Sequence, residues 1–162
     1  MLAPHRMKLR ILAGLIAALM ATLGQFTPVS AHPGAIAVSG TQLVENVAPC
    51  APGSFKMIGS LTGCWTIDTF VEQVASPGIY VASGTEHFVG CVGSLCGTLY
   101  STFVFVGKFD ASGNEVWGGC HHPIVGGTGG FAAATGDLNF RDLPNGTPLP
   151  PAEYKGRIVL RP

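Results

Sequence analysis

The chain has 162 residues with nine basic and nine acidic side chains, and only 11% of its residues are charged. Charge so sparse and so evenly balanced leaves no basic stripe for nucleic acid and no positive field for an anionic membrane surface.

The first segment reads as an address rather than as structure. Arg6, Lys8 and Arg10 precede the apolar run "ILAGLIAALMATLG", and the small-residue pattern Val29-Ser30-Ala31 follows. This is the layout of a secretory signal peptide over residues 1–31, with cleavage expected after Ala31. The run is short for a membrane span, which needs about 20 residues, so no membrane attachment is expected after cleavage. No cysteine follows the cut to carry a lipid, and no paired arginines precede the run. Removal of the segment leaves six basic against nine acidic side chains, a net charge near −3. The remaining length, about 130 residues, suits one domain in the extracellular space or the periplasm.

Residues 32–54 are rich in Pro, Gly and Ala without clear periodicity, and are expected to form a poorly ordered arm before a domain at 55–162. The domain then reads as strands. "GCWTIDTFVEQV" alternates, with Trp65, Ile67, Thr69 and Val71 on one face and Cys64, Asp68, Phe70 and Glu72 on the other. "SPG" at 76–78 is turn chemistry, and Ile79–Val89 is a strand interrupted by Gly84. "GTLYSTFVFVGKF" is the densest strand signal, and its alternation puts Leu99, Phe103, Phe105 and Phe109 on an inner face. "DASGN" is a hairpin turn, "EVWGGCHH" the returning partner, and "GDLNFRD" and "EYKGRIVL" two further strands. No segment after the signal shows apolar residues at helical spacing, so the expected class is an all-β barrel or sandwich.

Five cysteines lie at 50, 64, 91, 96 and 120. Export makes disulfides the default. Cys91–Cys96 across "CVGSLC" is the first pairing expected, because a short loop brings two strand ends within bridging distance. Cys50–Cys64 is the second, which leaves Cys120 odd and available for a bond between chains.

The stretch "CHHPIVGGTGGFAAATGDLNFRD" admits three readings. A phosphate cradle lacks its lysine and its helix. A zinc set would need Cys91, Cys96, Cys120 and His122, spread over separate strands in a compartment that favours disulfides. A corner fits best. Gly127, Gly129 and Gly130 permit backbone angles barred to other residues, Phe131 anchors the corner in the core, and Gly136 permits a kink before the next strand.

"GGTGGFAAATGDLNF" resembles the glycine signature of allene oxide cyclase-like β-barrels, a group that includes dirigent proteins and secreted bacterial relatives. The matching residues are Gly126, Gly127, Thr128, Gly129, Phe131, Ala132, Ala134 and Gly136; Ala133 stands where the pattern usually has glycine. "GTEHFVGC" and "CGTLYSTFVFVGKFD" are similar to secreted bacterial members. The resemblance implies an eight-stranded antiparallel barrel with an apolar mouth or cavity. It carries no mechanism, because this chain does not match the site residues of the plant members.

Three functions follow. The first is a secreted barrel holding a small apolar ligand, with Phe103, Phe105 and Trp117 among the lining residues. The second is a cyclase or isomerase that needs no cofactor, which asks for a dry cavity and one or two proton-moving groups. Its candidates are Asp68, Glu72, Glu86, His87, His121 and His122. Neighbours on a strand face opposite ways, so the pairs to inspect are Asp68 with His87 and Glu86 with His122. The third is a structural or surface protein that self-associates as a homo-oligomer. A hydrolase is disfavoured, because no G-x-S-x-G elbow is present.

Overall fold

The computed structural model describes residues 34–161; the signal segment lies outside them. Eight strands run in chain order: β1 Ala35–Glu45, β2 Ser54–Gly59, β3 Leu61–Ser76, β4 Ile79–Val92, β5 Leu95–Phe109, β6 Glu115–Gly129, β7 Thr135–Asp142 and β8 Ala152–Val159. Each pairs antiparallel with its sequence neighbour, and β1 pairs with β8, so one sheet closes in a ring. Closure removes the exposed edges that an open sheet would present. Among the described residues there is no helix.

The arm expected at 32–54 is corrected. Its first half is β1, seated between β2 and β8. The signal was weak because the inward positions of β1 carry little apolar bulk. Val38 is buried, but Gly40 lies beneath the Tyr154 hydroxyl, where a Cβ has no room. Residue 50, in the same stretch, is tied by Cys50–Cys64 to β3. The short strand β2 was not singled out in the sequence either, and the domain therefore begins at β1 rather than at residue 55. β4 runs unbroken through Gly84, although a break was expected there.

The ring has two unlike ends. At one end Met57, Leu61, Phe88, Leu99, Leu138 and Ile158 are fully buried and fill it with side chains. Tyr154 completes this end: its hydroxyl donates to Ile58 O at 3.2 Å and accepts from Leu61 N at 2.8 Å. The corner after β6 closes it from outside. Phe131 is buried, with its ring 6.4 Å from that of Phe88. Gly129 has φ +61° and Gly136 φ +136°, and a Cβ on Gly127 would strike the Phe131 and Thr98 carbonyls. Ala133 also sits at positive φ, +54°, although it carries a Cβ. The Cys91–Cys96 disulfide joins β4 to β5 at this same end. Both expected pairings are formed, and Cys120 is free.

At the other end the walls are unequal. β3 to β6 have 14 to 16 residues each, whereas β2, β7 and β8 have six to eight. The loop between β7 and β8 lies over the low side, where Leu143 N donates to Pro151 O and Glu115 N to Thr147 O. This end is hollow.

Candidate functional site

The hollow end holds a cavity of about 570 Å³. That volume lies within the roughly 300–1,000 Å³ usual for small-molecule sites. Its floor is made by Phe55, Trp65, Phe103 and Phe140, all buried. Its rim is made by Phe70 and by Leu149 of the β7–β8 loop, both exposed. Phe105 and Phe109 line it from β5, as their alternation with Phe103 predicts. Trp117 does not. It is 47% exposed on the outer wall, a correction to its expected place in the cavity.

Trp117 has the opposite parity to the inward Cys120 and His122 on the same strand, so plain alternation turns it outward. A bulge follows immediately beyond it. Lys108 pairs with Trp117 and Phe109 with Glu115, so Val116 is an extra residue in β6. A bulge of one residue inverts the side-chain parity beyond it. It leaves Trp117 outward and turns Glu115 inward, onto the same wall as Cys120 and His122.

A second bulge, in β3, decides the fate of the first candidate pair. Ile67 pairs with Glu86 and Thr69 with Thr85, leaving Asp68 unpaired. Asp68 therefore faces outward, and Phe70 and Glu72 beyond it face the cavity with Trp65 and Ile67. Asp68 and His87 do meet, with His87 Nδ1 at 2.8 and 3.0 Å from the two carboxylate oxygens. They meet on the outside, with the histidine and aspartate side chains 30% and 42% exposed. Neither lines the cavity, so the reading of Asp68 as an inner-face group is corrected. His121 is likewise exposed on the outer wall.

The second pair is inside. Glu86 of β4 and His122 of β6 are both buried, and His122 Nδ1 contacts Glu86 Oε1. Glu86 Oε1 also accepts from Ser101 Oγ at 2.8 Å, because β5 places Ser101 directly opposite Glu86. The imidazole is caged by three rings: Trp65 edge-on at 5.6 Å, Phe140 at 4.1 Å and Phe103 stacked at 6.3 Å. Its Nε2 has no hydrogen-bond partner. A carboxylate on Nδ1 fixes which nitrogen keeps the proton and leaves Nε2 free to accept or donate one. Both residues border the cavity.

Two acidic residues that the sequence reading passed over join them. Glu115 is buried, and its Oε1 has no partner. Asp142, at the end of β7, lies beside it: a Cβ on Gly118 would collide with both carboxylates. Burial first, then the Asp142 charge, pushes the Glu115 carboxyl up to about 8. Burial also raises Asp142. Two carboxyls so close and so dry hold a proton between them at neutral pH. Asp142 was legible, since it shares parity with buried Leu138 and Phe140. Glu115 was not, because simple alternation places it opposite to Cys120.

Cys120 lies on the inner wall, and burial, reinforced by Glu86 and Asp142, pushes its thiol well above the usual range. A protonated thiol is a poor nucleophile, and its position facing the cavity does not present it for a bond between chains. The zinc set is ruled out by the Cys91–Cys96 disulfide. Among the described residues no cluster of three or more His, Cys, Asp or Glu has metal-binding geometry, and no helix is long and apolar enough to cross a membrane.

What these elements define is an all-β ring with one packed end and one pocketed end, stapled by two disulfides. Searches against family models and against curated proteins return no match to this chain.

Proposed function

We propose that this chain is an exported protein that binds a small, largely apolar molecule in the hollow end of an eight-stranded barrel of the allene oxide cyclase-like kind. The observation that carries the reading is the cavity itself. Its floor is aromatic and buried, its rim is open, and three of the residues that line it, Trp65, Glu115 and His122, each carry a buried polar atom without a partner. A buried polar atom without a partner costs about 1–3 kcal/mol. Polar groups of this kind, clustered on the residues around one cavity, are what a site that binds a molecule with a polar group would keep. The two disulfides fit the oxidising compartment to which the N-terminal signal would send the chain.

The test uses Trp65 as the reporter. In a Trp117→Phe background, 2-phenylethanol and larger uncharged aromatic alcohols should change Trp65 emission saturably. Ala82→Phe, which fills the cavity from β4 without adding a second indole, should abolish the change. A Trp65 signal indifferent to aromatic probes of every charge would overturn the binding reading.

A second reading rests on the Glu86–His122 pair. A histidine held by a carboxylate, with its other nitrogen free in a dry apolar cavity, is equipped to move a proton on a bound substrate without a cofactor. The chemistry would be an isomerisation or cyclisation, with the ring walls holding the substrate folded.

A further inference from the structure

The charge on the cavity wall is one-sided. Five carboxylates line it: Glu72, Glu86, Asp110, Glu115 and Asp142. No lysine or arginine does. The basic residues nearest in sequence to these positions point elsewhere: Lys108 is exposed on the outer face of β5, and Arg141 reaches Glu153 at 2.7 Å on the outer face of β7 and β8. The same wall carries eight aromatic rings, including Phe103, Phe105 and Phe109 in a row along β5. Phe105 and Phe109 lie 6.5 Å apart, and Tyr80 meets Phe109 edge to face at 5.1 Å.

Acidic residues alone would not make a site. Here the carboxylate that is 95% buried, Glu115, presents an unpartnered oxygen, and the cavity it lines is walled by ring faces. Aromatic faces attract organic cations, and the attraction strengthens where water is excluded. An anionic ligand would meet these carboxylates and no lysine or arginine.

We infer that the cavity selects an apolar organic cation, an amine or quaternary ammonium on an aromatic or aliphatic frame, with the cationic head at Glu115 and Asp142 and the frame against the β5 phenylalanines. The inference rests on the binding reading above and narrows its ligand class. A protonated amine donates hydrogen bonds to both carboxylates and replaces the proton they share. A frame lying on Phe103 and Phe105 then ends beside His122. The site thus divides its work: the Glu115–Asp142 end recognises charge, and the Glu86–His122 end is free to act on the molecule that charge has positioned.

Capture of a cation releases the shared proton, so affinity depends on pH. Glu72, Tyr80, Glu86, Asp110, Cys120 and His122 also line the cavity. Loss of a proton from any of them makes the wall more negative. A permanently charged ligand should therefore bind more tightly as pH rises.

The experiment compares three probes of similar size on the full chain with disulfides intact: 2-phenylethylamine, 2-phenylethanol and 3-phenylpropanoate. Phenyltrimethylammonium is the fourth, because its charge does not titrate. Titration calorimetry at pH 7.5 should show the amine binding at least tenfold more tightly than the alcohol, and the carboxylate more weakly than either. Phenyltrimethylammonium should gain affinity, severalfold or more, between pH 6 and pH 8. Glu115→Gln combined with Asp142→Asn should bring the amine to within threefold of the alcohol. An alcohol that matches the amine on the unaltered chain overturns the cation inference and leaves the binding reading standing. A preference for 3-phenylpropanoate also overturns it, and would assign recognition to His122. If none of the four binds, both readings fall.

Discussion

Replacement of the buried Glu86–His122 pair by apolar groups separates a working site from a scaffold. Glu86→Leu leaves His122 with both ring nitrogens unpartnered, since Nε2 already lacks a partner, and it strips Ser101 Oγ of its acceptor. His122→Leu leaves a buried carboxylate with Ser101 as its remaining side-chain partner. Removal of one member of a buried charged pair costs about 3–5 kcal/mol, and each single variant should fall in that interval. The triple variant Glu86→Leu, Ser101→Ala, His122→Leu removes every polar member at once. The surroundings are Trp65, Phe103 and Phe140, which accept leucine side chains. An apolar replacement of a complete buried pair is commonly neutral or stabilising. The triple variant should therefore unfold within about 1 kcal/mol of the unaltered protein, or later. Urea unfolding at pH 7 with disulfides intact measures all three, and an unchanged m-value confirms that the same surface is being exposed. A triple variant that loses 3 kcal/mol or more would show that the pair holds the ring together. Its retention would then be explained by stability rather than by proton transfer.

Three further outcomes are expected. Phe131→Ala should cost about 3–5 kcal/mol in the same assay, because the ring is fully buried at the packed end and its loss leaves a void; a loss below 1 kcal/mol would remove the corner's anchor. Ala133→Gly should stabilise by about 0.5–1 kcal/mol, since relief of a left-handed alanine outweighs the entropy a glycine adds to the unfolded chain; a destabilised variant refutes the strain. Glu115 has a folded pKa of about 8 against 4.5, so it is protonated in both states below 4.5. Between these values the unfolded chain ionises first and binds fewer protons, so stability falls as pH rises toward 8 and then levels. Glu115→Gln should flatten that decline, and an unchanged slope would mean that Glu115 is not the group responsible.

Much of this protein was legible in its residues. Alternation marked most of the strands, and the dense β5 pattern correctly placed Leu99, Phe103, Phe105 and Phe109 inside, because side chains on a strand take opposite faces in turn. The cysteine spacings named both disulfides, and the glycines around Phe131 named the corner. Adjacency on β4 ruled out Glu86 with His87 and left Glu86 with His122 as one of two pairs. The choice between the pairs was not in the sequence. It turned on an extra residue at Asp68, and the inward place of Glu115 turned on another at Val116. A bulge has no compositional signature there, yet it inverts every side chain beyond it. β1 was hidden for a different reason: its inner face is small so that Tyr154 can sit against Gly40, and packing of that kind depends on a partner more than a hundred residues away. Whether the ring was filled or hollow also belonged to tertiary structure alone. It follows from the unequal lengths of β3–β6 and of β2, β7 and β8, which leave one end too wide for their side chains to fill.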